Sequence, residues 1–252
     1  MATADKVLSI LSLFTVEQPE WTVEAVAVRL SLSGSTAYQY VRSLVDAGLL
    51  VSQRGGRYTI GPAVIELDRL MRRFDPLIHA ARSVLPGLVA ATGGDVTGLL
   101  CRIYRLRVMC VDQYGAGIDD EAISYERGRP MPLARGAASK AILAQLTGRQ
   151  LRRFYDADAD EIAAAGLGSD WEAFKGHIRW LRSQKVVMTE GELDEGMMGI
   201  SAPVFDGDEL VLGSVGLVVK AAPFRADKDR LATARQAVSE AGEAITRAIA
   251  AT

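Results

Sequence analysis

The sequence predicts an α+β protein with an N-terminal winged helix-turn-helix domain and a larger C-terminal domain built on a sheet. Residues 21–61 show the order helix, turn, helix and β-hairpin within about forty residues, which is the compact order of a winged domain. Beyond residue 95, strand-like runs stand at both ends of the segment, with helical stretches between and after them. A break at Asp75-Pro76 separates the two parts.

Length and composition narrow the class of protein. The chain has 252 residues, enough for two domains with a core each, and 49% of them are hydrophobic. No uncharged apolar run is long enough to span a membrane, and the first residues lack a signal-peptide profile, so we expect a cytoplasmic protein. The two cysteines, Cys101 and Cys110, and the two scattered histidines predict neither a metal site nor a cofactor.

Apolar spacing and capping residues place the N-terminal elements. Residues 5–16 predict a first helix, and Thr22 is suited to cap a second. A third helix begins near residues 33–35, with an apolar face formed by Ala37, Val41, Leu44 and Val45. Gly48 ends this helix, because glycine adopts the left-handed conformation easily. Residues 49–51 and 57–60 then flank a short turn and predict a hairpin.

The third helix has a polar outer face and small hydroxyl residues at its start. Such a helix fits the major groove of DNA, and its first amides can meet phosphate. The hairpin, with an arginine on each side of its turn, suits the wing. The candidate DNA-binding residues are Ser33, Ser35, Thr36, Tyr38, Gln39, Arg42 and Ser43 on the helix, and Arg54 and Arg57 on the wing. The alternative is an ordinary three-helix domain used for packing or protein contacts.

Charge adds a condition to the DNA-binding prediction. Residues 1–75 hold eight Lys or Arg against eight Asp or Glu, so this region is not basic overall. Binding DNA through phosphate neutralisation alone would need more positive charge in this region. The balance favours a dimer that makes two sets of local contacts at once.

A long amphipathic stretch follows the hairpin. Gly61-Pro62 opens a helix with a continuous apolar stripe at Val64, Ile65, Leu67, Leu70 and Met71, and a second helix is predicted over residues 77–91. We therefore predict a DNA-binding domain over residues 1–61, a linker helix over 62–76, and a second domain over 77–252. The stripe exceeds what one small domain needs, so it covers either a second subunit or the neighbouring domain.

The second domain alternates between strands and helices. Strands are predicted at residues 96–103, 108–114, 122–125, 186–189, 197–205 and 210–219, and helices at 136–146, 149–155, near 160, 171–183 and 227–250. An extended segment, 128–133, leads into the first of these helices. This grouping predicts a sheet with helices on one side.

One segment of this domain can carry binding chemistry. Gly136 and two alanines open a helix, so a ligand can approach the backbone there, and the amides favour an anion such as a carboxylate. Tight packing of the helix start explains the small residues equally well. Ser139 and Lys140 point in different directions, so they predict no catalytic pair. The acidic run 189–196 reads as a solvated loop rather than a cation site.

These residues resemble the IclR family of bacterial transcription regulators over nearly the whole chain. The similarity lies in Ser35-Thr36-Ala37-Tyr38, Tyr58-x-Ile60-Gly61, Pro132-Leu133, Gly136-Ala137-Ala138-Ser139-Lys140-Ala141 and Gly196-x-x-Gly199-Ile200-Ser201-Ala202-Pro203-Val204. The resemblance implies a C-terminal GAF-like effector-binding domain, a dimer or dimer of dimers, and control of an operon by a small organic acid.

The resemblance also implies where the effector binds. The candidate residues are Leu99, Cys101, Ala137, Ala138, Thr189, Met197, Gly199, Gly216 and Val218. The carboxylate belongs at Ala137 and Ala138. Relatives that sense short acids carry polar groups at several of the other positions, so a larger or aromatic acid is expected here. Gln39 replaces a common arginine, and glutamine pairs with adenine where arginine prefers guanine.

The sequence as a whole predicts an effector-responsive, DNA-binding transcription regulator. Its expected partners are a double-stranded DNA operator, a small organic acid and further copies of the same chain, without a membrane and without enzyme activity. Two alternatives remain at this point. The C-terminal domain could be a small-molecule enzyme fused to a DNA-binding module, or the winged domain could contact another protein.

Overall fold

The computed structural model describes residues 3–93, 95–115 and 123–251. The chain divides between Asp75 and Pro76 into two compact units. Among the described residues, no helix combines the length and the apolar character needed to cross a membrane.

The first unit is a small helical bundle with a three-stranded antiparallel sheet. Its elements are helices α1 (Thr3–Ser9), α2 (Val23–Leu30), α3 (Gly34–Asp46) and α4 (Ala63–Phe74), and strands β1 (Trp21–Thr22), β2 (Leu50–Gln53) and β3 (Arg57–Ile60). The strand order is β1-β3-β2. The two-residue strand β1 is an addition that the apolar pattern did not predict.

The first helix is shorter than the sequence predicts. It ends at Ser9, and a 3-10 turn over Leu11–Leu13 replaces the rest of the expected 5–16 helix. The Ser9 hydroxyl donates to the carbonyl of Lys6, and the Trp21 indole donates to the carbonyl of Leu13. These side chains take carbonyls that a continuing helix would use.

Capping and burial explain why α2 and α3 form where they do. The Thr22 hydroxyl accepts from the Ala25 amide, and the Ser33 hydroxyl accepts from the Thr36 amide, so both predicted starts are confirmed. The core of the unit is formed by Ile10, Val26, Ala37, Val41, Leu44 and Leu50. Gly48 ends α3 with φ of +69°. At Gly61 a Cβ would lie 2.3 Å from the carbonyl oxygen of Gly48, so only glycine fits there.

The second unit is built on one six-stranded antiparallel sheet of order β6-β5-β4-β9-β8-β7. Its strands are β4 (Thr97–Tyr104), β5 (Arg107–Tyr114), β6 (Pro130–Pro132), β7 (Val187–Glu190), β8 (Met197–Phe205) and β9 (Val211–Lys220). Its helices are α5 (Pro76–Ala81), α6 (Val84–Ala91), α7 (Ala137–Leu143), α8 (Gly148–Ala164), α9 (Trp171–Ser183), α10 (Ala221–Ala226) and α11 (Lys228–Ala250). The turn between β4 and β5 places Arg105 and Leu106 at φ of 49° and 60°.

The expectation of helices on one side of the sheet is wrong, because both faces are covered. Helices α7, α8 and α9 pack on the face that carries Leu99 and Val218. Helices α5, α6 and α11 pack on the face that carries Leu100 and Val215. Residues 213–219 of β9 are all buried, and a strand buried without alternation must be covered on both sides.

The strand predicted over 122–125 is also wrong. Ala122 lies outside the described residues, and Ile123, Ser124 and Tyr125 do not form a strand. The amide and the hydroxyl of Ser124 donate to the carboxylate of Asp194, so that amide is not available to a ladder. The edge strand is instead β6, in the segment expected to be extended, and its two prolines suit an edge position.

Two helical predictions need smaller corrections. The helix predicted over 77–91 is two helices, α5 and α6, because Pro86 has no amide hydrogen and its ring disrupts the preceding turn. Restarting at Val84 puts Pro86 in a first turn, where no amide hydrogen is needed. Residues 149–155 and the stretch near 160 form one element, α8, with a non-helical residue at Asp158. The short helix α10 was not predicted.

Candidate functional site

The start of α3 is built from hydroxyl side chains that bond one another. The Ser33 Oγ lies 3.1 Å from the Ser35 Oγ and 2.8 Å from the Thr36 Oγ1, besides accepting the Thr36 amide. Ser33 and Ser35 are exposed and Thr36 is half-buried. No acidic residue lies in the first turn. The positive end of this helix is therefore open to an anion such as a DNA phosphate.

The outer face of α3 is uncovered along its length. Tyr38, Gln39, Arg42 and Ser43 are exposed, while Ala37 and Val41 on the opposite face are buried. The Ser43 hydroxyl donates to the carbonyl of Gln39 at 3.0 Å. Arg42 lies 3.9 Å from the Asp46 carboxylate, a weak pair between two exposed side chains. The structure thus presents the predicted reading face to solvent.

The wing is the β2–β3 hairpin. Gly55 and Gly56 both have positive φ, as a tight turn requires, and the wing residues Arg54 and Arg57 are exposed. The Arg57 Nη1 lies 2.9 Å from the Glu20 Oε2. This intramolecular partner was missed by sequence reasoning, because 37 residues separate the two charges. A phosphate approaching Arg57 has to compete with Glu20.

Helix α4 exposes its apolar side. Six apolar residues of this helix are between 40% and 74% exposed, and no described residue of α4 is buried. They are Val64, Ile65, Leu67, Leu70, Met71 and Phe74, which we call the α4 apolar face. A contiguous apolar surface of this kind marks an interaction site rather than a stable solvent face.

The second unit contains a cavity between the start of α7, the β7–β8 loop and the sheet. Its empty volume is about 380 Å³, part of it open to solvent. Seven of the nine predicted effector residues line it, namely Leu99, Ala137, Ala138, Thr189, Met197, Gly199 and Val218. Gly136, which the sequence places at the start of this helix, also lines the cavity. The other lining residues include Tyr125, Glu192, Leu193, Asp194 and Ser201, which are not among the nine candidates.

Cys101 and Gly216 do not line this cavity. The Cys101 side chain is fully buried opposite Cys110, and a hydrogen bond to that thiol, with burial, raises the pKa of Cys101. Gly216 lies against β8, where an added Cβ would be 2.2 Å from the Ser201 Oγ. Both cysteines are free thiols in the core. Their role is packing, not contact with a ligand in this cavity.

Small residues at the start of α7 serve close packing as well as access. At Gly199 an added Cβ would lie 3.0 Å from the Ala137 Cβ, so β8 passes directly over the helix start. Within the described residues, no hydrogen bond engages the amides of Ala137 or Ala138. The start of α7 is therefore tightly packed against β8, and it also has backbone amides without a hydrogen-bond partner in the described structure.

Acidic loop residues occupy one end of the cavity, contrary to the solvated loop that the sequence predicts. The Glu192 Oε2 accepts the Gly136 amide at 2.9 Å, and its Oε1 lies 2.5 Å from the Lys140 Nζ. The Lys140 side chain is only 8% exposed. Two residues further on, Asp194 accepts from Ser124. Sequence spacing could not reveal this ion pair, because 52 residues separate its members.

Ser139 and Lys140 have different partners. The Ser139 Oγ lies 2.8 Å from the Tyr125 hydroxyl, which also accepts the Ser139 amide. Burial raises the pKa of Tyr125, so its hydroxyl stays neutral. Lys140 is paired with Glu192 instead. The two adjacent residues do not converge on one reacting atom.

The pKa of His177 on α9 depends on both charges of this ion pair. Partial burial lowers the pKa of His177 from its ordinary 6.5, the positive charge of Lys140 lowers it further, and the negative charge of Glu192 raises it. His177 also packs edge-on against Trp180, with ring centroids 5.3 Å apart.

Comparison with known proteins identifies the class. A winged helix-turn-helix unit followed by a mixed α/β sensing unit defines a one-component regulator that joins DNA binding to ligand binding. Residues 3–54 match the IclR helix-turn-helix domain, and residues 74–247 match the domain described as bacterial transcriptional regulator IclR C-terminal. The chain belongs to the IclR family of bacterial transcriptional regulators.

Three relatives that are distant in sequence each match 98% or more of this chain. The HTH-type transcriptional regulator KipR of Bacillus subtilis is 23% identical over 98% of this chain and 96% of its own length. Two solved structures have the same fold. An IclR transcriptional regulator from Alicyclobacillus acidocaldarius has a TM-score of 0.77 at 19% identity, covering 98% of each chain. An IclR homologue from Microbacterium hydrocarbonoxydans, complexed with 4-hydroxybenzoate, has a TM-score of 0.75 at 16% identity over both full chains.

Proposed function

We propose that this regulator places α3 of each of two protomers in successive major grooves of a near-palindromic operator. The observation that carries this proposal is the uncovered polar face of α3, which begins at a serine-capped, uncharged helix start. Arg54 and Arg57 of the wing would contact phosphates or the minor groove. Reading by two protomers compensates for the balanced charge of each N-terminal unit.

The α4 apolar face supports homodimer formation. Side chains as large as Ile65 and Phe74, 74% and 68% exposed, are costly to leave in water. A second copy of the same helix offers a matching apolar surface through a two-fold axis. We propose a dimer, or a dimer of dimers, held in part by this face.

We propose a small organic acid as the effector of the second unit. The amides of Ala137 and Ala138 are oriented by the helix start to receive a carboxylate, and Leu99, Met197 and Val218 form apolar walls suited to a ring. The Microbacterium homologue with bound 4-hydroxybenzoate supports an aromatic acid. Occupancy would bias the spacing of the two reading helices through residues 62–92.

No cofactor, metal or enzymatic step is part of this proposal. Among the described residues, Ser139 and Lys140 hold separate partners, so the two do not form a catalytic pair. We place the protein in the cytoplasm, where its operator is found.

The proposal is tested by a gel shift with the promoter DNA adjoining the gene. Arg42→Ala should weaken operator binding and lower the slope of log affinity against log salt by about one, because one phosphate contact is lost. Arg153→Ala, which removes an exposed arginine of α8, is the matched control and should bind as the wild type does. Unchanged affinity and slope in Arg42→Ala would contradict the assignment of α3.

The effector class is tested in the same gel shift by adding aromatic and short aliphatic acids in parallel and comparing the operator affinity.

A further inference from the structure

Glu192 lines the proposed effector cavity and forms an ion pair with Lys140, which does not itself line the cavity. Lys140 is buried, with 8% of its side chain exposed, while Glu192 on the β7–β8 loop is 29% exposed. A buried ammonium without a counter-charge is strongly unfavourable, so something negative has to sit beside it. In the described structure that group is the Glu192 carboxylate, which also accepts the Gly136 amide.

The remainder of the loop holds Glu192 over the cavity by contacts of its own. Leu193 packs against Gly136, where an added Cβ would meet its Cδ1 at 2.7 Å. Asp194 accepts from the amide and hydroxyl of Ser124. Both Glu192 and Asp194 line the cavity. Since each carboxylate already has donors within the chain, the acidic loop is not arranged to hold a cation.

A carboxylate ligand in this cavity faces a conflict of charge. Within the described parts of the chain, no Lys or Arg lines the cavity, and the Lys140 ammonium beside the lining residue Glu192 already holds one carboxylate. A second carboxylate at the same ammonium and helix start would repel the first, so the two would not both remain there ionised. A ligand carboxylate that uses this ammonium and the Gly136 amide therefore competes with Glu192.

We propose that Glu192 is a built-in stand-in for the ligand carboxylate. An incoming carboxylate takes over the Lys140 ammonium and the Gly136 amide, and Glu192 moves with its loop into solvent. This inference rests on the effector site proposed above and deepens it. Lys140 becomes the residue that restricts ligands to carboxylates, and the position of residues 191–195 becomes the signal of occupancy.

The test removes the stand-in and asks whether a free carboxylate replaces it. Glu192→Ala leaves Lys140 without a partner and leaves space for a small acid. Sodium acetate should raise the thermal unfolding midpoint of Glu192→Ala beyond the effect of sodium chloride at equal ionic strength. The wild type and Glu195→Ala, which loses an exposed carboxylate of the same loop, should respond much less to acetate. Glu192→Ala/Lys140→Met should lose the acetate response.

Calorimetry with benzoate and its neutral isostere benzamide gives a second readout. Glu192→Gln keeps the size of the side chain, so it serves even if Glu192→Ala does not fold. Benzoate should bind this variant about tenfold tighter than the wild type, because an internal competitor is gone. Benzamide should not discriminate between the two proteins.

The outcomes separate this inference from the proposed function. If benzoate binds wild type, Glu195→Ala and Glu192→Gln equally, and acetate has no specific effect on Glu192→Ala, the stand-in role is overturned and the acid effector survives. If no acid binds any variant or alters operator affinity of the wild type, the acid effector fails as well. Weaker benzoate binding by Glu192→Gln would make Glu192 a ligand contact instead, and would also overturn the inference.

Discussion

In each candidate site a cationic side chain is paired with a carboxylate of the same chain. Arg57 on the wing is held by Glu20, and Lys140 beside the cavity is held by Glu192, so neither cation meets its proposed ligand without losing a partner. Such pairs select for ligands that can replace a carboxylate. The same side chains provide the most direct predictions.

Glu20→Gln should strengthen operator binding by up to about fivefold, because it releases the Arg57 guanidinium from an exposed ion pair. The change is measured as a dissociation constant by fluorescence anisotropy at fixed salt. Glu66→Gln, which removes one negative charge on α4, is the control for net charge. Equal gains in both variants would show that Arg57 does not contact DNA.

His177 should report the charge state beside the cavity. Its pKa is lowered below 6.5 by burial and by Lys140, so Lys140→Met should raise it and Glu192→Gln should lower it further. Because the folded state resists protonation of His177, its contribution to stability is complete above about pH 6.5 and declines as pH falls through the lowered folded pKa. Imidazole titration by NMR checks both shifts, with Arg153→Ala as reference. An unchanged His177 pKa in both variants would place His177 away from the ion pair.

At the scale of elements, helix α4 and the β7–β8 loop are the two elements to which the proposals assign a change of contacts on binding. The α4 apolar face is exposed although its residues would stabilise the protein by burial. The loop is held at two points, by the Asp194 carboxylate on Ser124 and the Glu192 carboxylate on Lys140, and not by a regular β-ladder. Elements of low local stability are the ones that move when a partner or ligand binds.

Ile65→Glu on α4 should shift the protein toward monomer, because it places a charge within an apolar interface. Multi-angle light scattering measures the mass, and operator affinity should fall with it, since two half-sites are no longer bound together. Arg69→Glu, a charge change at an exposed arginine of the same helix, should leave the mass unchanged. An unaltered dimer in Ile65→Glu would exclude the α4 apolar face as the contact.

For the whole molecule, the sequence predicted local structure well and long-range partners poorly. The starts of α2, α3 and α11 follow from caps at Thr22, Ser33 and Asp227, and helical spacing found the buried face of α3. The edge strand β6 was missed because its pairing partner lies more than twenty residues away. For the same reason the sequence predicts a solvated loop at Glu192, since the cation that pairs with it is 52 residues distant. Coverage of both sheet faces was visible only in the continuous apolar run of β9.

The β4–β5 turn offers a way to make a sturdier ligand sensor. Arg105 adopts a left-handed conformation, φ of 49°, that is unfavourable for a residue with a long side chain, whereas asparagine tolerates it and is favoured in such hairpin turns. Arg105→Asn should therefore raise the free energy of unfolding by about 0.5 kcal/mol and the melting temperature by about 1–2 °C, as measured by calorimetry. A lower melting temperature would mean that the lost contact between the Arg105 guanidinium and the Tyr104 ring costs more stability than the relief of backbone strain provides. Since Arg105 does not line the cavity, this substitution would raise thermal stability without changing the ligand specificity of the cavity.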